Sequence, residues 1–181
     1  VVAIRLYTGP GYVPLNAFLR EVAKLGADWR RRTSHMHQLS YSSTVRHLTD
    51  GLRKLVRVNG EGSFGAVFRG VRGELPEAFW LKDDFGMVTA TDFAFMSTSV
   101  DAEVCKQFMD KTQSNVLWEV RCGPETSEGF HSGADVSLLS QFPGEQEMLF
   151  PPLTMLTLSA EHQQWSAQRG RKGSMNELNM P

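Results

Sequence analysis

Two glutamates one residue apart, in Gly144-Glu145-Gln146-Glu147, are the side chains of this sequence best placed to do chemistry. The runs on either side, Val136-Ser137-Leu138-Leu139 and Met148-Leu149-Phe150, predict strand. Alternation along a strand points Glu145 and Glu147 the same way, roughly 6–7 Å apart. Like charges on a mostly apolar strand repel each other and lose hydration, so such a pair lines a wet cleft or answers a cation. Arg69, in the short apolar run Ala66-Val67-Phe68-Arg69-Gly70-Val71, is a candidate cation. It either snorkels to solvent from a strand end or offers its planar fork to a phosphate. Gly70 beside it allows a backbone to come close to a ligand. Ser97-Thr98-Ser99 closes the run that starts at Phe93 and leads into a helix. Ser99 either caps that helix, with Ala102 or Glu103 as donor, or the hydroxyls orient a carboxylate and hold a ligand's ribose or amide.

The elements that must position these residues follow from periodicity. Val1 to Tyr7 carries β-branched residues and reads as a strand, broken by Thr8-Gly9-Pro10-Gly11. Leu15, Phe18, Leu19, Val22 and Leu25 fall at helical spacing over Pro14 to Leu25, with Gly26 as the stop. Arg30-Arg31-Arg32 lies in a basic polar stretch, Asp28 to Gln38, that reads as a solvated face. A second helix, capped by Ser42 or Ser43, gathers Val45, Leu48, Leu52, Leu55 and Val56 into one stripe, with Gly51 a mild weakness in its interior. After the glycine-rich turn Asn59 to Gly65, strands are predicted at Ala66–Val71, Phe79–Leu81, Val88–Ala90 and Phe93–Ser97. A helix over Asp101 to Lys111 turns Val104, Cys105, Phe108 and Met109 inward. Val116 to Cys122 is a strand, Pro124 to Gly133 a polar loop, and further strands lie around Val136–Leu139, Glu147–Phe150 and Met155–Ser159. Helices first and short strands after predict an α+β domain with a largely antiparallel core, residues 1–162, followed by a weakly held polar tail, 163–181.

A chain of 181 residues has room for a proper core, and 41% hydrophobic with 22% charged residues is ordinary for a globular protein. A net charge of -1 gives no reason to expect nucleic acid or an anionic membrane, and no apolar run reaches the roughly 18–20 residues of a span. The opening at Val1 shows no signal peptide, as in a piece excised from a longer chain, and leaves the compartment undecided. Cys105 and Cys122 read as two buried thiols, although spacing alone does not exclude pairing. His35, His37 and the cysteines have no zinc-like spacing.

Gly60-Glu61-Gly62-Ser63-Phe64-Gly65-Ala66-Val67 and Asp84-Phe85-Gly86 imitate the glycine loop and metal-binding triplet of protein kinases. That chemistry also needs a strand lysine and a His-Arg-Asp loop before the triplet. Here the triplet follows Phe64 by 20 residues, and no His-Arg-Asp occurs. The glycines are a helix-to-strand turn.

Order and spacing add what single residues lack. Arg69 on a short strand is followed 28 residues later by Ser97 in Phe95-Met96-Ser97-Thr98-Ser99. Another 48 residues on stands Glu145 in Phe142-Pro143-Gly144-Glu145-Gln146-Glu147-Met148-Leu149-Phe150-Pro151-Pro152. Tyr7-Thr8-Gly9-Pro10-Gly11-Tyr12, with Leu15-Asn16 and Leu19-Arg20, opens the chain. In these motifs, from about Tyr7 to Ser159, the chain resembles the mono-ADP-ribosyltransferases of the Arg…Ser-Thr-Ser…Glu-x-Glu class, which includes vertebrate ecto-enzymes and cholera-toxin-like and clostridial binary toxins. The resemblance implies two small, mostly antiparallel sheets packed face to face with helices around them, and NAD, as substrate, in the cleft between. It also implies roles. Arg69 holds the phosphate and ribose side of NAD, and the Gly70 backbone grips the carboxamide. Ser97 orients the catalytic carboxylate, with Thr98 and Ser99 shaping the loop. Glu147 is the catalytic glutamate, and Glu145 receives and activates an acceptor arginine presented by a protein. An aromatic covering nicotinamide falls on Phe108, which helical spacing with Val104 equally assigns to the core; Phe142 and Phe85 have weaker claims. No metal is implied.

Elementary chemistry agrees. Cleaving the nicotinamide–ribose bond develops an oxocarbenium-like cation, which an anion aimed at the ribose stabilises. Nicotinamide leaves without a proton because its ring nitrogen is already cationic. One carboxylate therefore suffices for cleavage, and the second is available to an incoming guanidinium. NAD glycohydrolysis, in which water takes the cation, and an inactive NAD- or protein-binding module are the competing readings.

Overall fold

The computed structural model describes residues 1–25, 41–59, 65–122 and 133–158. Four of the segments read above lie wholly or largely outside them: the basic stretch with Arg30 to Arg32, His35 and His37; the turn Asn59 to Gly65; the loop Pro124 to Gly133; and the tail 163–181. So does Gly26.

Val2 to Tyr7 are helical, not extended. Helix α1 (Val2–Leu6) runs into a wide turn, Tyr7–Gly11, in which Gly9 and Pro10 break the helical path before α2 (Tyr12–Leu25). Burial explains the outcome. Ile4 and Tyr7 are both buried in the same cluster, and residues three apart share a face on a helix but oppose each other on a strand. Of the β-branched residues that suggest a strand, Val1 and Val2 are exposed and only Ile4 is buried. Helix α3 (Ser42–Asn59) follows the predicted stripe: Leu48 and Leu52 are buried, and Val45, Leu55 and Val56 pack on the same cluster. Gly51 faces α1, where a Cβ on it would lie 3.3 Å from Ile4 Cδ1, a tight but side-chain contact.

Strands β1 (Ala66–Arg72), β3 (Met96–Ser99), β4 (Asn115–Arg121), β5 (Ala134–Asp135) and β6 (Glu147–Phe150) form one antiparallel sheet in the order β4-β1-β3-β6-β5. The register sets Phe68 against Ser99, Ser97 against Leu149 and Ser99 against Glu147. The three runs singled out in the sequence are thereby neighbours. Phe95, Val136 and Leu149 join Ile4, Tyr7, Leu15, Leu48 and Leu52 in the core, which fastens the N-terminal helices to the sheet. Strands β2 (Thr89–Asp92) and β7 (Thr154–Thr157) form a separate pair. Leu153 N–H donates to the Asp92 carbonyl and Leu158 N–H to the Val88 carbonyl, the opposed order of an antiparallel ladder. The architecture is α+β, with N-terminal helices and two antiparallel sheets.

By compactness the chain divides into one unit of Val1–Glu74 with Asp92–Thr154 and a smaller one containing Leu75–Thr91 and the chain from Met155. Several strands of the sequence reading are shorter or absent. Phe79 and Trp80 lie in a 3-10 turn, Glu77–Trp80, where their rings meet edge to face. Residues 93–95 precede β3, because the Asp92 carboxylate accepts the Ala94 N–H and turns the chain. Val136 to Ser140 is a turn closed by the Leu139 and Ser140 N–H groups on the Val136 carbonyl. The third helix, α4 (Ala102–Gln107), ends four residues early.

Candidate active site

Arg69 projects from within β1 and is not a strand-end residue reaching for water, since its side chain is only 22% exposed. One guanidinium nitrogen, Nη1, donates to the Ser97 carbonyl at 3.1 Å; the other, Nη2, lies 3.3 Å from Asp92 Oδ2. Burial lowers the guanidinium pKa and the Asp92 charge opposes that, so a group that does not deprotonate in proteins stays a fixed cation here. Asp92 also lies 3.6 Å from Arg20 Nη2. This shared counter-ion was missed in the sequence. The local signal was an Asx turn at Asp92-Phe93-Ala94, which predicts the backbone bond but not the partners 23 and 72 positions away.

Gly70 is needed for packing on one face: a Cβ would meet the Cys105 carbonyl oxygen at 3.0 Å and Met109 at 3.2 Å. Its absence brings α4 down onto β1, where the Cys105 thiol donates to the Phe68 carbonyl at 3.1 Å. Cys105 and Cys122 are both free and buried.

Ser97, Thr98 and Ser99 each have a different task. The Ser97 hydroxyl, exposed on β3, acts on the Glu147 carboxylate as a hydrogen-bond donor that favours its charged form. Thr98 is buried and donates to the Met148 carbonyl at 2.8 Å, a clamp between β3 and β6. Ser99 donates to the Glu145 carbonyl at 2.8 Å and accepts the Asp101 N–H at 3.0 Å. The cap of α4 is therefore Asp101, whose carboxylate accepts the Glu103 N–H at 2.8 Å, and not Ser99.

The two glutamates are not a strand pair. Glu147 is the first residue of β6 and 6% exposed. Glu145 ends a 3-10 turn, Pro143–Glu145, and Gln146 between them is left-handed (φ 47°, ψ 50°). That residue rotates the chain out of the β alternation on which the same-face argument rested. The carboxylates still sense each other. Burial raises the Glu147 pKa, the Ser97 hydrogen bond opposes the rise, and the charge of Glu145 adds to it; burial also raises Glu145.

Tyr7 and Asn16 complete the neighbourhood. Asn16 Nδ2 donates to the Tyr7 hydroxyl at 3.0 Å and to the Phe95 carbonyl at 3.3 Å, while the Phe95 N–H returns a bond to Asn16 Oδ1 at 3.2 Å. The Tyr7 hydroxyl donates to the same carbonyl at 3.3 Å. Burial pushes its pKa far up, against the Asn16 hydrogen bond, and both Glu147 and Arg69 act on it electrostatically. Phe108 is not a core residue: it is 53% exposed at the end of α4, and its carbonyl accepts Arg72 Nε at 3.0 Å. Phe142 and Phe85 are exposed as well. Among the described residues, no three or more His, Cys, Asp or Glu side chains are grouped to hold a metal.

A buried carboxylate, a fixed guanidinium and a serine joining them suit a substrate with both anionic and incipient cationic parts. The family model described as NAD:arginine ADP-ribosyltransferase matches residues 1–171. This chain belongs to the NAD:arginine ADP-ribosyltransferases. NAD is the substrate of that family. Among curated relatives, this ADP-ribosyltransferase is 33% identical over 153 residues to Mav of Mycobacterium avium (strain 104), provisionally named a NAD(+)–arginine ADP-ribosyltransferase. The match covers 83% of the chain and 14% of Mav. It is 27% identical over 179 residues to the mono(ADP-ribosyl)transferase SpvB of Salmonella typhimurium, covering 88% of the chain and 27% of SpvB. The chain thus spans about a quarter or less of these relatives. In fold it is similar to the solved SpvB domain (TM-score 0.57, 22% identity, 99% of this chain and 90% of that one). It is similar also to HopU1 of Pseudomonas syringae pv. tomato DC3000 (TM-score 0.59, 24% identity, 85% and 66%).

Proposed function

We propose that residues 1–162 act as one catalytic domain that transfers ADP-ribose from NAD to the guanidinium of an arginine in a protein, with release of nicotinamide. The observation that carries this reading is the double use of Ser97, whose carbonyl takes Arg69 and whose hydroxyl takes Glu147. One residue of β3 fixes both charges. A single family model over 1–171, spanning both compact units, supports treating 1–162 as one domain.

In the proposed reaction Arg69 faces the diphosphate and ribose side of NAD, and the Gly70 backbone and Phe108 meet nicotinamide. Thr98 and Ser99 hold the walls of the site, and Glu147 is aimed at the nicotinamide ribose. The bond from C1′ to the nicotinamide nitrogen breaks, its electron pair leaving with the ring. Positive charge grows on the ribose opposite Glu147, and the burial of that carboxylate, which limits screening by water, strengthens the attraction. A guanidinium nitrogen of the acceptor then bonds C1′, and its proton passes to Glu145. Glu145, less constrained than Glu147, suits a partner that arrives from outside. The ADP-ribosyltransferase Vis, whose fold is similar (TM-score 0.54, 23% identity), has been solved with the guanidine agmatine.

The test is incubation with NAD labelled in both halves, with and without agmatine. Nicotinamide release with label on agmatine is expected. Release without acceptor labelling makes the domain a glycohydrolase, and no release at all makes it a binding module.

A further inference from the structure

The chain leading to Glu145 is tied to the N-terminal turn through one residue, Gln141. Gln141 Nε2 donates to the Arg5 carbonyl at 2.6 Å, and the Gln141 N–H donates to Thr8 Oγ1 at 3.0 Å. Gly9 leaves the space for that amide: a Cβ there would collide with Gln141 Nε2 and lie 2.8 Å from Cδ. From this anchor a series of short bonds runs to the glutamate. The Phe142 N–H rests on Ser140 Oγ at 3.0 Å, and the Glu145 N–H on the Phe142 carbonyl at 3.0 Å. Beyond them Ser99 takes the Glu145 carbonyl. The segment is therefore held at two points, Ser99 on β3 and the turn at Arg5 to Gly9. Glu147 needs neither side-chain anchor, because β6 is paired to β3 and β5 on its two sides.

We propose that Gln141 is a positioning residue that seats the Glu145 segment on the N-terminal turn, and that this seat sets how well an arginine competes with water for the ADP-ribosyl group. The inference rests on the reading of Glu145 as the acceptor-facing residue. Loosening the seat frees Glu145 to move while the Ser97 and Glu147 hydrogen bond is untouched, so transfer suffers and cleavage does not.

The test compares Gln141→Ala, Gly9→Ala and the two combined. Gln141→Ala should lower kcat/KM for agmatine roughly fivefold, the scale of one hydrogen bond, and leave acceptor-free nicotinamide release within about twofold. Gly9→Ala should do the same alone and add nothing in the Gln141→Ala background, where the amide it strikes is gone. Gln141→Glu keeps the shape but aims an acceptor at the Arg5 carbonyl, and should not restore transfer. Equal loss of transfer and release in Gln141→Ala, or full harm from Gly9→Ala without the Gln141 amide, overturns the proposal. If the unaltered chain never labels agmatine, it is the acceptor reading that fails. Amide hydrogen exchange over residues 137–146 then decides the seat: faster exchange in Gln141→Ala supports it, and unchanged exchange overturns it.

Discussion

Arg69, Ser97 and Glu147 lie on neighbouring strands, where each residue's position is fixed by the ladder on either side; Gln141 to Gln146 lies in successive turns fixed by a few side chains. The first region is rigid by construction and suits charge stabilisation, which fails if donors and acceptors must reorganise during the reaction. The second is adjustable and suits contact with a macromolecule of variable shape. One left-handed residue, Gln146, separates them. In this protein two glutamates with one residue between them belong to different mechanical parts.

The comparison breaks most visibly at Glu147. Glu147→Gln keeps the side chain's shape and removes its charge, and should reduce nicotinamide release and arginine labelling together by roughly 100- to 1000-fold. Near-normal release by the folded variant would mean that the sheet region does not stabilise the cation. Next in size is Arg69→Lys. A point charge does not reproduce a fork shared between the Ser97 carbonyl and Asp92, so calorimetric titration should show NAD binding weakened by about tenfold or more. An unchanged dissociation constant would return Arg69 to a structural part. Glu145→Gln sharpens the contrast: agmatine labelling should fall by about tenfold or more while nicotinamide release stays measurable, both read on one preparation. Loss of both to background would unite the two regions.

The smallest effect is on stability. Burial holds the Glu147 pKa above its unfolded value, so the folded protein binds the extra proton more readily. The stability contributed by the protonated carboxyl is fully present below the unfolded pKa, about 4.3, and is lost as pH rises through the folded pKa. Glu147→Gln should therefore melt higher than the parent at neutral pH, by about 2–4 °C for each kcal/mol, and the two should converge near pH 3. The acid limb of cleavage in the parent should lie above the ordinary carboxylate range for the same reason. A variant less stable than the parent at pH 7 would contradict this account.

The strand region is legible in the sequence because its runs are short, apolar and set off by polar or turn residues; Arg69, Ser97 and Glu147 all fall on strands, Arg69 within β1 and not at its end. The turn region is not. Gln has no preference for the left-handed conformation, and only Gly or Asn at 146 would have advertised the break between the glutamates. Asp92 escaped for another reason, since ion pairing with Arg20 and Arg69 depends on tertiary approach that no local spacing records. The opening helix reads as a strand because β-branched residues favour strands where the pleat buries them, yet Val1 and Val2 are exposed and only Ile4 is buried, on one helical face with Tyr7. Phe108 was legible as an aromatic of interest, but the end of α4 was not, and with it went the evidence that this ring faces out.

Ser97 holds its two partners with chemically unequal atoms. The carbonyl facing Arg69 belongs to the main chain and persists whatever amino acid occupies the position; the hydroxyl facing Glu147 vanishes in all but a few. Genetic change at this codon therefore reaches only one side of the site. A library of substitutions at 97 would map the glutamate's dependence on its support and would stay silent about the arginine's, however strong that dependence is.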